Sequence, residues 1–200
     1  SLASEGFSVE LIEKNDKVGG KLNIVTQDGF TFDLGPSILT MPHVFEALFT
    51  RVGKNMADYV NIQTVTPHWR NFFEDGTHID LTPDPEAQRR ELDKLGPHAA
   101  AEFERFMAYS KQISDAVETG YFAKGLDSFW ELIRFYGIKQ SLLKFDVFRS
   151  MDQGVRRFIS NPKLVDILNY FIKYVGASPY DAPALMNLLP HIQSEYGLWY

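Results

Sequence analysis

Glu13 and the pair Gly19-Gly20, followed by Lys21, carry the first chemistry that the sequence offers. Glu13 ends the strand-like segment SVELIE. In a dinucleotide-binding βαβ unit, an acid at the end of the second strand accepts hydrogen bonds from the adenosine ribose. Its two carboxylate oxygens match two vicinal hydroxyls. A glycine pair lets backbone approach a pyrophosphate closely, and a neighbouring cation offsets its charge. Each feature also has a plain reading: a surface glutamate at a strand end, and a flexible turn in VGGK. The glycine-rich phosphate loop of such a unit lies roughly 20 residues before the acid. Only twelve residues precede Glu13 here. SLASEGF therefore reads as the tail of the helix that follows such a loop, and the chain as starting inside the unit.

The elements that must position these residues can be read in outline. SVELIEK has β-propensity and is bounded by Gly6 and a polar loop. GFTFDLG alternates, with Phe30, Phe32 and Leu34 on one face. WRNFFEDGTHIDL places Asp75-Gly76 between two strand-like runs, which predicts a hairpin with a type I′ turn. The first third is thus expected to be sheet-rich. Asp33, just before Gly35, is expected to fix the following turn by accepting backbone hydrogen bonds.

Helical signals take over near residue 83. Asp84 and Pro85 form an N-cap and first position, with Gly96 as the stop. Pro97 opens a second helix carrying Phe103, Phe106, Met107 and Ile113, with Gly120 as its stop. Asn161-Pro162 opens a third, whose apolar face runs through Leu164, Ile167, Leu168, Phe171, Ile172 and Val175 to Gly176. Pro183 starts a fourth, which Pro190 should kink or divide. GLWY reads as the opening of a further element. The organisation expected is a sheet-rich portion over 1–83 and a helical portion over 84–200.

Composition narrows the function classes. The chain has 200 residues with 44% hydrophobic and 14% aromatic content, which supports a sizeable core. Net charge is −6 with no basic stripe, so nucleic acid is not an expected partner. The sequence contains no cysteine, which excludes disulfides, thiolate metal sites and a cysteine nucleophile. No apolar run approaches the length of a membrane span. The five histidines, at 43, 68, 78, 98 and 191, show no metal-ligand spacing. His191 and Glu195 stand one helical turn apart and read as a solvated face, so no metal is expected. Trp130, Arg134, Lys139 and Lys144 interleave aromatic and basic character among YF, SFW, RFY and KFDVF. That pattern suits either an ordinary amphipathic helix pair or interfacial membrane attachment.

E-K-x4-G-G-K followed by DGFTFDLGPSIL resembles the FAD-binding region of the amine oxidase and phytoene desaturase superfamily. The resemblance implies an α/β fold: part of a Rossmann-type FAD-binding domain, then a largely helical substrate domain. It implies FAD as cofactor, with Glu13 on the ribose, Gly20 and Lys21 beside the cofactor, and Gly35, Pro36, Ser37 and Ile38 near the flavin ring. Many members carry Arg where Lys21 stands, and lysine keeps the charge without the bidentate fork. FDLGPSILTMP, SNPKLVDILNYFIKYVGASPYDAPA and QSEYGLWY extend the likeness to bacterial carotenoid oxidoreductases, the branch acting on C30 carotenoids in particular. SILTMP and YVGASPYDAPA lean toward its oxidase members.

The resemblance thus implies an enzyme that oxidises a long apolar polyene, turning a terminal methyl into an aldehyde. Desaturation and isomerisation are the alternatives within the family, and a carotenoid or lipid carrier is the alternative outside catalysis. An apolar carotenoid would be the substrate. The setting implied is cytoplasmic and peripheral, on the inner face of the cell membrane. No catalytic acid or base can be named. Family chains continue past GLWY, so residues 1–200 by themselves are expected to bind FAD poorly.

Overall fold

The computed structural model describes residues 1–122, 124, 125, 128–138, 145, 146 and 148–200. They form two compact units, one of Ser1–Val65 with Tyr196–Tyr200 and one of Thr66–Glu195. The hairpin around Asp75 therefore groups with the helices, and the boundary falls at Thr66 rather than after residue 83. Helices and small antiparallel sheets together are compatible with the α/β class.

In the first unit, strands β1 (Ile24–Gln27) and β2 (Phe30–Asp33) form an antiparallel hairpin with Val25 opposite Phe32. Asp28 (φ 52°) and Gly29 (φ 83°) both take positive φ, as a type I′ turn requires. The alternation read from GFTFDLG holds, since the Phe30 and Phe32 rings lie 6.4 Å apart on one face. SVELIEK, by contrast, forms no strand. Propensity alone does not make one: a strand needs a partner for its backbone groups, and none of the described residues supplies it. Val9, Leu11 and Ile12 are exposed. SLASEGF contains one 3₁₀ turn, Ala3–Glu5, ended by Gly6 in the left-handed conformation. The sheet-rich expectation also missed helix α1 (Pro42–Arg51), which Pro42 opens.

The second unit holds the core. Strands β3 (Trp69–Phe72) and β4 (His78–Leu81) pair with Trp69 opposite Leu81. Only Gly76 of the Asp75-Gly76 pair takes positive φ. The hairpin is as expected, but its loop is a longer one spanning Phe73–Thr77, with Phe73 N–H donating to Thr77 O at 2.9 Å. Ile79 and Leu81 point inward onto Met151, Ile167, Phe171 and Ile172. This shared apolar burial places the hairpin with the helices.

Helix α2 (Pro85–Asp93) is capped by Asp84, whose carboxylate accepts from the Glu86 and Ala87 N–H groups. Helix α3 (Ala99–Val117) starts two residues after Pro97. It does not stop at Gly120 but runs on through a π turn, Glu118–Phe122. Gly120 serves packing instead, because a Cβ there would overlap the Tyr136 ring. Tyr136 belongs to α4 (Phe129–Tyr136) and donates its hydroxyl to the Ala116 carbonyl. Helix α5 (Met151–Arg156) opens with a capping box between Ser150 and Gln153.

Helix α6 (Pro162–Asn169) is capped by Asn161 and tightens into a 3₁₀ turn, Tyr170–Tyr174, before Gly176. Pro190 divides the last helical run, as expected: a 3₁₀ turn at Ala184–Leu188 precedes α7 (Leu189–Tyr196). Phe106, Val155, Leu164, Val165 and Leu168 make the main core. Polar groups stitch it together. Buried Glu102 accepts from Ser160 N at 2.8 Å and Ser160 Oγ at 2.7 Å, which ties α3 to the start of α6. Among the described residues, no helix is long and apolar enough to cross a membrane.

Candidate functional site

In the first unit, the two glycine-bearing segments converge. Gly19 (φ 121°) and Gly20 (φ 59°) both adopt backbone that L-residues rarely enter. They reverse the chain, and Leu22 N–H donates back to Gly19 O at 3.0 Å. Leu34 N–H then donates to Asn23 O at 2.8 Å, which lays the GPS segment alongside. Gly35 sits so close that a Cβ would collide with the Lys21 carbonyl. Gly20, Lys21 and Gly35 are thus brought together through main chain. Pro36 and Ser37 are exposed and Ile38 half-buried as the chain leaves this junction.

Glu13 is exposed, on the approach to the same turn. Its Oε1 accepts from Asn15 N at 2.9 Å and Asn15 Nδ2 at 2.8 Å. Oε2 has no protein donor among the described residues. Lys14, Asn15, Asp16 and Lys17 border an open polar cleft with Asn23 and Ile24. Glu13 and Lys21 do not line that cleft, and no direct contact joins them.

Residues 198–200 complete this unit in a way that the sequence did not signal. Leu39 and Trp199 exchange backbone hydrogen bonds of 2.8 and 3.0 Å, and Gln63 and Tyr200 exchange bonds of 2.7 and 2.8 Å. Residues 198–200 of GLWY therefore lie between the segment after Ile38 and the segment before Val65, joined to both by isolated antiparallel bridges at Trp199. The Tyr200 hydroxyl donates to Asp33 Oδ2 at 3.0 Å. The carboxylate raises the Tyr200 pKa, chiefly through that hydrogen bond. Asp33 thus receives a phenol, not the backbone donors expected of it. A pairing of residues so far apart in sequence leaves no local pattern to read.

The second unit contains a cavity of about 240 Å³. Leu92, Phe103, Met107, Leu168 and Phe171 supply apolar wall, and His68 and Gln193 also line it. Beside it, the Lys173 ammonium lies 2.9 Å from the Trp69 ring centroid and 4.3 Å from that of Tyr170. Burial lowers its pKa to about 8.

His191 is half-buried, not fully solvated, and burial lowers its pKa. Among the described residues, no group of three His, Asp or Glu could hold a metal. Of the aromatic and basic set, Trp130 and Arg134 are exposed on α4, and Lys139 and Lys144 lie outside the described residues, as does Val147 of KFDVF.

Residues 1–191 match the flavin containing amine oxidoreductase family. Over all 200 residues the chain is 78% identical to a 4,4'-diapolycopene oxygenase of Methylomonas sp. It is 45% identical over 199 residues to 4,4'-diaponeurosporene oxygenases of Staphylococcus aureus strains USA300 and NCTC 8325 / PS 47. In each case the whole chain is covered, and it spans about 40% of the relative's length. A match over nearly its full length makes this chain a member of the flavin-containing amine oxidoreductase family.

Proposed function

We propose that this chain is part of an FAD-dependent oxidoreductase of carotenoid biosynthesis, which turns the terminal methyl of a long apolar polyene into an aldehyde. The observation that carries the reading is the 78% identity, across the entire chain, to a protein named a diapolycopene oxygenase. In this reading the first unit belongs to a Rossmann-type FAD-binding domain and the second to a largely helical substrate domain.

The residues present fit such a cofactor. Glu13 keeps one carboxylate oxygen without a protein donor, and that oxygen would take a ribose hydroxyl. The Gly20–Lys21 turn and the abutting Gly35 form a narrow backbone ledge where no Cβ fits at 35. Lys21 would offset the charge of the pyrophosphate, and Pro36, Ser37 and Ile38 would lie toward the ring. When bound, the flavin would supply the redox chemistry, with dioxygen as the oxidant: R–CH3 + O2 gives R–CHO + H2O, one oxygen atom entering the product and the other leaving as water. The protein's own part is to hold the cofactor, orient the polyene end and exclude water. A substrate this apolar would be drawn from a bilayer. The exposed Trp130, Phe135 and Ile138, with Arg134 among them, support peripheral attachment on the cytoplasmic face.

The test is to express the complete reading frame in a bacterium that accumulates diaponeurosporene and to weigh the extracted pigment. A gain of one oxygen with loss of two hydrogens is expected. Loss of hydrogens alone would make the protein a desaturase, and isomers of unchanged mass an isomerase. In the same host, Glu13→Ala should retain less than about a tenth of the flavin, as loss of a charged hydrogen bond predicts. Full flavin content in that variant would remove Glu13 from the site.

A further inference from the structure

The two ends of α5 bring a pair of arginines onto one buried carboxylate. Asp146 is 6% exposed. Its Oδ1 accepts from Arg149 Nη1 at 2.6 Å. Its Oδ2 accepts from Arg157 Nη1 at 3.0 Å and from the Tyr109 hydroxyl at 3.0 Å. Burial and the neighbouring carboxylate raise the Tyr109 pKa, so the phenol stays a neutral donor. A buried carboxylate needs a paired cation. One arginine meets that need here, and the second leaves the cluster with a surplus positive charge.

Both arginine side chains remain about half exposed. A guanidinium carries several N–H donors in a planar fork. Each of these two gives Nη1 to Asp146 and makes no other hydrogen bond among the described residues. The Arg157 guanidinium also lies over the rings of Tyr109 and Phe158, at 5.8 and 5.3 Å from their centroids. The pair is thus held in place with donors to spare, and such forks match the oxygens of a phosphate. Phe148 indicates the source of that phosphate. It adjoins Arg149 and is 80% exposed. The same turn packs on α4, where the Phe145 and Tyr136 rings lie 5.1 Å apart, and α4 carries the exposed Trp130 and Phe135. A soluble phosphate gains nothing from exposed rings. At a bilayer, apolar side chains enter among the acyl chains while arginines stay level with the headgroups. With a net charge of −6, the chain needs a local surplus of positive charge to approach an anionic surface.

We propose that Arg149 and Arg157 bind the headgroup phosphate of an anionic membrane lipid, with Phe148 inserted beside it. The inference deepens the peripheral attachment proposed above and rests on it. The apolar side chains of α4 would hold the protein to any bilayer, and the arginine pair would select the lipid.

The complete, flavin-loaded protein can be sedimented with vesicles of phosphatidylcholine alone and of phosphatidylcholine mixed with phosphatidylglycerol. The anionic vesicles should bind it about tenfold tighter or more, as two cations at a membrane surface predict. Arg149→Gln together with Arg157→Gln should erase that preference while binding to phosphatidylcholine stays as before. Phe148→Ser leaves the Asp146 cluster intact and should weaken binding to both vesicles. Should the arginine variant fold poorly, hydrogen exchange on the unaltered protein reads the same contact. Peptides spanning residues 148–157 should be protected more by the anionic vesicles than by phosphatidylcholine, and not by inorganic phosphate. Equal binding to the two vesicles, a full preference in the arginine variant, or protection confined to other regions would overturn the proposal. Protection by inorganic phosphate equal to that by vesicles would do so too, by assigning the pair to a soluble phosphate. The two readings fail differently: equal binding keeps peripheral attachment and removes this site, whereas binding to neither vesicle removes both. Pigment oxidation in the cell is read apart from either.

Discussion

Lys173 shows how much one side chain's surroundings decide. Its ammonium sits over Trp69 and Tyr170, with Tyr174 at 5.6 Å. Ring faces attract a cation, whereas burial opposes the charged form. The pKa of about 8 reflects burial and lies below the 10.5 of a free lysine. The unfolded chain therefore binds more protons than the folded one between those values, and stability rises with pH across that window. Lys173→Met keeps the apolar stem and removes the titration. Denaturant unfolding of both proteins from pH 7 to above 10 should show the wild type gaining on the variant as pH rises through about 8. A constant difference would mean that the ring faces fully offset the burial.

At the scale of elements, caps and glycines set where helices begin and end. Asp84 and Asn161 each accept from two N–H groups of the first turn, in Asp-Pro and Asn-Pro contexts. Asn161 does more, since its Nδ2 donates to Leu95 O at 2.8 Å and so joins the region after α2 to α6. Replacing a cap by alanine costs about 1 kcal/mol. Asp84→Ala should cost about that, and Asn161→Ala about 1 kcal/mol more for the second bond, measured by denaturant unfolding. Equal costs would show that the Leu95 link contributes nothing. These caps were plain in the sequence because they are local. The π turn after α3 was not, because Gly120 answers to Tyr136, which arrives from another helix.

Across the whole molecule, burial is uneven. The second unit holds Phe106, Ile113, Leu164 and Leu168 fully shielded, whereas the first exposes Phe7, Leu11, Ile12 and Phe30. On α4, Trp130 is 77% exposed, Phe135 46%, and Ile138 beyond the helix 64%. Under the peripheral attachment proposed above, these side chains enter the headgroup region. Trp130→Ser with Phe135→Ser should weaken sedimentation of the complete protein with anionic vesicles about tenfold or more, given the burial energy of one large apolar side chain. Unchanged sedimentation would assign the patch to other contacts.

The sequence by itself determined what local chemistry settles: the caps at Asp84 and Asn161, the division at Pro190, the Asp75-Gly76 hairpin, and the Glu13, Gly20, Lys21 and Gly35 wording that resembles the family. Each depends on residues a few positions apart. The tertiary structure decided what depends on partners distant in sequence. SVELIEK has strand propensity and no ladder, because no described residue pairs with its backbone. GLWY is held in place only because Leu39 and Gln63 exchange backbone hydrogen bonds with it. The Gln193 amide is oriented only because Trp69 and Tyr174, distant in sequence, both donate to its oxygen. Hydrogen-bond satisfaction and close packing are properties of neighbours in space, and side-chain spacing along the chain carries them only where the two coincide.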